Sequence, residues 1–148
     1  MKTPTKYFLL AVLFWFVVDF TTTYAIKSPS TYYATYMPAL LIFYIGSPLV
    51  FTALIYKFKL SNKALLIATL INIIIVEILF TGNTLFFTFP LALIIIPVSI
   101  SIYALLTFLP KWIVEKNIKN NKWKIITMLT IYILVSLATA FGNPTPTP

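Results

Sequence analysis

Residues 64–80 read ALLIATLINIIIVEILF, seventeen positions of which all but Thr69, Asn72 and Glu77 are apolar. At about 1.5 Å per residue such a helix just spans a hydrocarbon layer of about 30 Å. In a water-soluble protein it would be a buried core helix. The rest of the chain excludes that setting. Of the 148 residues, 60% are hydrophobic and 9% charged, and the mean hydropathy is +0.96. Soluble domains carry about 25% charged residues. A chain with so little polar surface needs lipid as its solvent.

Four further apolar runs flank the first, at 7–26, 39–56, 85–108 and 125–141. None alternates polar and apolar residues as a membrane β-strand does. The sequence therefore predicts an all-α integral membrane protein. It is a single domain over 1–141, a bundle of five transmembrane helices, with an extended, disordered Thr/Pro tail at 142–148. If residues 1–25 act as a cleaved secretory signal, four spans remain. Lys2 and Lys6, the apolar core and the small-residue stretch Thr23-Tyr24-Ala25 fit that alternative.

The lysines orient the bundle. Lys2 and Lys6 precede the first run, Lys57, Lys59 and Lys63 separate the second and third, and Lys111, Lys116, Lys119, Lys122 and Lys124 separate the fourth and fifth. Five spans put all ten on one side and leave Lys27 alone on the other. By the positive-inside rule the N-terminus is inside and the C-terminus outside, as in a multi-pass protein of the cell (cytoplasmic) membrane. The net charge of +8 thus reads as a topology signal and a contact for anionic lipid headgroups, with no nucleic acid as partner. Tyr32, Tyr33 and Tyr36 suit an outer aromatic belt, Trp112 and Trp123 an inner one. Pro38 suits the first turn of the second helix. Glu115 and Lys119 have the spacing of an intrahelical ion pair. Helix breaks are expected at Gly46 and Pro48, at Pro90 and at Pro97, and Pro110 is expected to end the fourth helix.

The chain has no cysteine, histidine or arginine. No catalytic residue, metal ligand set or cofactor is assigned, and no phosphate loop, nucleophile elbow or zinc motif is present. The acids are Asp19, Glu77 and Glu115. Glu115 falls in an inner loop. Asp19 and Glu77 fall within spans, where an acid marks a functional site by default. Asp19 lies 12 residues past Tyr7 and Glu77 lies 13 past Ala64, so both reach roughly 18–20 Å above the inner boundary. Thr22, Thr23 and Thr81 lie within helical reach and, with Asn83, suggest an outward-opening polar vestibule. Such a pair is a candidate cation or proton site. Asn72 lies about 140° around the helix from Glu77 by α-helical geometry and suits an interhelical hydrogen bond instead.

The leading expectation is a structural or accessory subunit, with a homo-oligomer or a larger membrane complex as its setting. The alternatives are a proton- or cation-coupled small permease or channel-like oligomer using Glu77 and Asp19, and an intramembrane acid–base enzyme acting on a lipid or isoprenoid. Glu77-Ile-Leu-Phe resembles the acidic motif of small membrane cyclases acting on isoprenoids. The paired acids and the tryptophan expected around that motif are missing, so no family is assigned.

Overall fold

A computed structural model of the chain describes residues 2–23 and 29–142. The cleavage-site residues Tyr24 and Ala25, Lys27 and the tail 143–148 lie outside the described residues. The side chains of Tyr32, Tyr33 and Tyr36 do too. Among the described residues every regular element is helical. Helix α1 is Thr3–Thr22, α2 Pro29–Thr52, α3 Asn62–Ile73, α4 Ala92–Val114 and α5 Lys122–Phe141. Two helices change pitch at their ends. α2 runs on as a π-helical turn over Ala53–Lys57, and α3 as a π-helix over Ile74–Phe80. Short 3₁₀ segments at Thr84–Phe87 and Lys119–Asn121 lead into α4 and α5.

Five stretches are long and apolar enough to cross a membrane: Thr3–Thr22, Leu40–Lys57, Asn62–Phe80, Ala92–Val114 and Lys119–Phe141. The protein is of the multi-pass membrane type. Only helices satisfy every backbone group locally where no water is present, which is why Ile-rich runs that would favour strands in water coil here. Many large apolar side chains face outward, Leu79 being 74% and Leu93 66% exposed, as a lipid-facing surface requires.

α1 is the centre of the bundle, packed against α2, α4 and α5, while α4 packs against α1, α3 and α5. Two buried clusters result. One joins Tyr7, Phe51, Ile55, Leu65, Phe108, Trp112 and Ile125 at the lysine-bearing end. The other joins Trp15, Val18, Tyr44, Ile73, Val76, Phe86 and Tyr103 at the opposite end. Removing residues 1–25 would strip both clusters of their α1 members, Tyr7 and Ala11 from the first and Trp15 and Val18 from the second.

Several expected boundaries move. α1 starts at Thr3 and ends at Thr22, because helix ends carry polar residues that a hydropathy window discounts. Pro29 rather than Pro38 opens α2, so the predicted outer loop through Met37 is helical from Pro29 onward. α2 is unbroken at Gly46 and Pro48, and α4 is unbroken at Pro97. A proline deletes one ladder bond, and packing holds the rest of the helix in place. Pro48 is fully buried. The fourth helix begins at Ala92, after Pro90, rather than at Leu85. It then passes through the buried Pro110 to Val114 instead of ending there. Glu115 pairs with Lys111 at 2.9 Å rather than with Lys119, because the helix stops at Val114 and Lys119 lies beyond the turn.

Candidate functional site

The C-terminal turn of α1 is built from Asp19, Thr21, Thr22 and Thr23. Each threonine hydroxyl donates to the carbonyl four residues back: Thr21 to Val17 (2.9 Å), Thr22 to Val18 (2.7 Å) and Thr23 to Asp19 (2.6 Å). These are back-bonds to carbonyls of the helical ladder, and the Asp19 carbonyl also accepts from the Thr23 amide at 3.1 Å. They also spend the hydroxyl protons on backbone. What each oxygen still offers is acceptor capacity. Thr81 does the same for Glu77, donating to its carbonyl at 2.8 Å.

Glu77 sits in the middle of the π-helix Ile74–Phe80. There the Thr81 amide reaches back five residues to the Val76 carbonyl at 2.9 Å. The extra residue per turn rotates Glu77 away from the α-helical register of Leu65, Thr69 and Ile73, and such insertions recur at functional sites. Both carboxylate oxygens of Glu77 accept hydrogen bonds. The Tyr103 hydroxyl donates to Oε1 at 2.7 Å and the Asn83 amide to Oε2 at 3.0 Å. Tyr103 is held by an edge-on contact with Trp15, centroids 5.4 Å apart. Asn83 is held by the turn after the π-helix, where Gly82 adopts a positive φ of 62° and the Asn83 amide N–H meets the Glu77 carbonyl at 2.8 Å. Across the bundle the Tyr44 hydroxyl of α2 donates to Asp19 Oδ2. The Tyr44 ring rests on Phe16, 4.5 Å between centroids.

The two acids line the same space. A cavity of about 250 Å³ is bounded by Asp19, Thr22, Thr23, Glu77, Asn83, Ser99 and Tyr103 among apolar neighbours. A second, of about 350 Å³, is bounded by Asp19, Thr23, Tyr44, Glu77, Thr81, Asn83 and Tyr103. Trp15, Asp19, Thr23, Glu77, Asn83 and Tyr103 wall both, so the two cavities form one polar region at the end of the bundle away from the ten lysines. Among the described residues no lysine lines it. Among the described residues the donors to Glu77 are a neutral hydroxyl and a neutral amide, which orient that acid without cancelling its charge.

The sequence-derived residues Asp19, Glu77, Thr22, Thr23 and Thr81 thus come together. Asn72 does not join them. Its Oδ1 accepts from the buried Ser47 hydroxyl of α2 at 3.0 Å, while its Nδ2 is buried with no hydrogen-bond partner among the described residues. Pro90 and Pro97 are exposed, and the α4 side of the first cavity is lined by Val98, Ser99 and Ile102. Tyr44 and Tyr103 were missed. Their signal was a phenol within an apolar run, a group that needs a hydrogen-bond partner when buried.

The Ser47–Asn72 pair yields an asymmetric prediction. Ser47→Ala leaves a second polar atom of Asn72 unsatisfied and is expected to cost about 1 kcal/mol. Asn72→Leu removes the orphaned amide, and Ser47 can turn its hydroxyl to a carbonyl of its own helix. That change is expected to be neutral or slightly stabilising. Denaturant unfolding of the two variants in mixed micelles checks the order, and the reverse order would refute it.

A scan against protein-family models, a search of curated proteins and a search of solved structures each found no match to this chain.

Proposed function

We propose that the protein binds a cation, a proton or a small metal cation, in the cavity between α1, α3 and α4 and passes it across the membrane. One observation carries this reading: Asp19 and Glu77 line a single cavity with no lysine among its described lining residues. Two ionised carboxylates lining one cavity repel each other, and a bound cation relieves that repulsion. The threonine oxygens favour the same ligand. Their protons are committed to backbone carbonyls, so they offer lone pairs to a cation and nothing to an anion. Tyr44, Tyr103 and Asn83 hold the carboxylates in place, which lowers the ordering cost of binding.

The lysine-bearing end faces the cytoplasm in this reading, by the positive-inside rule. The acid cavity then lies in the outer half of the cell membrane, loaded from outside. A continuous path to the inner face requires the packed layer of Tyr7, Leu65 and Leu105 to part, or a second copy of the chain to complete the route.

A second reading, an accessory subunit of a larger membrane complex, has one observation in its favour. α5 buries only Ile125 and Met128, which leaves most of its surface for a protein neighbour or for lipid.

The test is reconstitution in liposomes with a trapped pH dye under imposed proton, potassium or sodium gradients. Wild-type protein is expected to carry flux above empty liposomes. The Asp19→Asn/Glu77→Gln double variant is expected to fall to background. Equal background rates from both proteins would remove the transport reading and leave the accessory one.

A further inference from the structure

A different groove lies at the opposite end of the bundle. α3, α4 and α5 enclose an open, mostly apolar space of about 620 Å³. Lys63 and Lys124 stand at it, each in the first turn of its helix, and neither helix has an acid in that turn. Leu66, Phe108 and Met128 supply apolar wall, and Trp112 and Trp123 flank the space. Trp112 is 5% exposed and Trp123 76% exposed, so one indole is set into the bundle and the other stands outside it. The Lys122 ammonium lies 5.9 Å from the Trp123 ring centroid and adds a third positive charge beside the groove.

We infer that this groove is a binding site for one anionic phospholipid. The parts match the two halves of such a molecule. An acyl chain lies along Leu66, Phe108 and Met128, and the headgroup phosphate sits between the Lys63 and Lys124 ammonium groups. The positive ends of the α3 and α5 dipoles reinforce the lysines, because a helix N-terminus favours a nearby anion. Tryptophan rings suit the boundary between chain and headgroup. A free phosphate would use the lysines and leave the groove empty. A zwitterionic lipid would fill the groove and bring its own cation against two lysines. Only an anionic lipid satisfies both parts. The site is independent of the Asp19–Glu77 cavity and does not rest on the transport reading. It ties α5 to α3 and α4 through a bridging ligand.

Brominated lipids test this directly, because bromine on the acyl chain quenches tryptophan on contact. The full chain is reconstituted in a phosphatidylcholine bilayer doped with brominated phosphatidylglycerol or brominated phosphatidylcholine. Near-surface lysines each add about a fivefold preference for anionic lipid. Wild-type protein is therefore expected to show at least that preference in quenching. Lys63→Gln/Lys124→Gln should lose most of it. Lys57→Gln/Lys59→Gln, which removes the same charge from the end of the α2 extension and the turn after it, outside the groove, should keep it. Equal quenching by both lipids in the wild type would overturn the site, as would equal losses in the two variants, which would mean diffuse surface attraction. Lys63 and Lys124 are exposed. If their variant nonetheless fails to fold, the wild-type preference and its persistence in Lys57→Gln/Lys59→Gln decide the matter.

Discussion

Glu77→Gln is expected to lower cation flux through the reconstituted protein about 100-fold, the equivalent of one lost charge contact of roughly 3 kcal/mol. Its effect on folding should be small. The glutamine carbonyl can accept from the Asn83 amide, whose oxygen stays on the Leu85 N–H, and the new amide can donate to the Tyr103 hydroxyl oxygen. What disappears is the negative charge. Asp19→Asn should cost less, because Asp19 lies at the end of α1 beside threonine oxygens that remain available to the ion. The double variant separates two pictures. If both carboxylates hold the same ion, the losses do not multiply, and the double variant resembles Glu77→Gln alone. Multiplicative losses would assign the acids to separate steps. Thermal unfolding of each variant should shift little, which distinguishes a transport defect from a folding defect.

The membrane class was readable from composition and from the even length of the apolar runs, because both follow from the thickness and polarity of the solvent. The meeting of Asp19 and Glu77 was only partly readable. Counting residues along two helices put them at one depth. Whether α1 and α3 face a common space depended on packing order, which an apolar sequence hardly encodes, since Ile and Leu serve equally against lipid or protein. The partners on α2 and α4, Tyr44 and Tyr103, stayed hidden for the same reason. The π-helix over Ile74–Phe80 was a further obstacle. Helical-wheel geometry assumes a constant angle per residue, and the register changes just before Glu77. Prolines misled in the opposite direction. Pro48, Pro97 and Pro110 read as interruptions, yet all three lie within continuous helices, because a membrane helix with one missing bond has no better alternative. The Ser47–Asn72 pair had a half-legible basis: Asn72 called for a partner on another helix, but nothing in the sequence selected Ser47.

Tyr7→Ala is expected to be the most damaging single change to the fold. Tyr7 is fully buried. Its hydroxyl donates to the Thr107 carbonyl of α4 at 3.1 Å, and its ring meets Tyr56 edge-on with centroids 5.7 Å apart. In a membrane the usual transfer term is weak, since lipid tails are as apolar as the core. The loss comes from packing. A hole at a site enclosed by Phe51, Leu65, Leu105 and Phe108 is closed to acyl chains, so the lining atoms lose their contacts with nothing to replace them. A cost of about 3 kcal/mol follows, the lower part of the range for aromatic truncations in soluble cores. Tyr7→Phe keeps the ring and removes one hydrogen bond, so it should cost about 1 kcal/mol. Leu79→Ala is the control. Leu79 is 74% exposed, and lipid fills the space it vacates, so the change should stay within about 0.5 kcal/mol. Unfolding by increasing fractions of a denaturing detergent orders the three variants. Equal midpoints for Tyr7→Ala and Leu79→Ala would mean that α1 is not the packed centre of the bundle. Loss of Tyr7→Ala alone would show that the first span is part of the folded core, as its contacts with three neighbouring helices require.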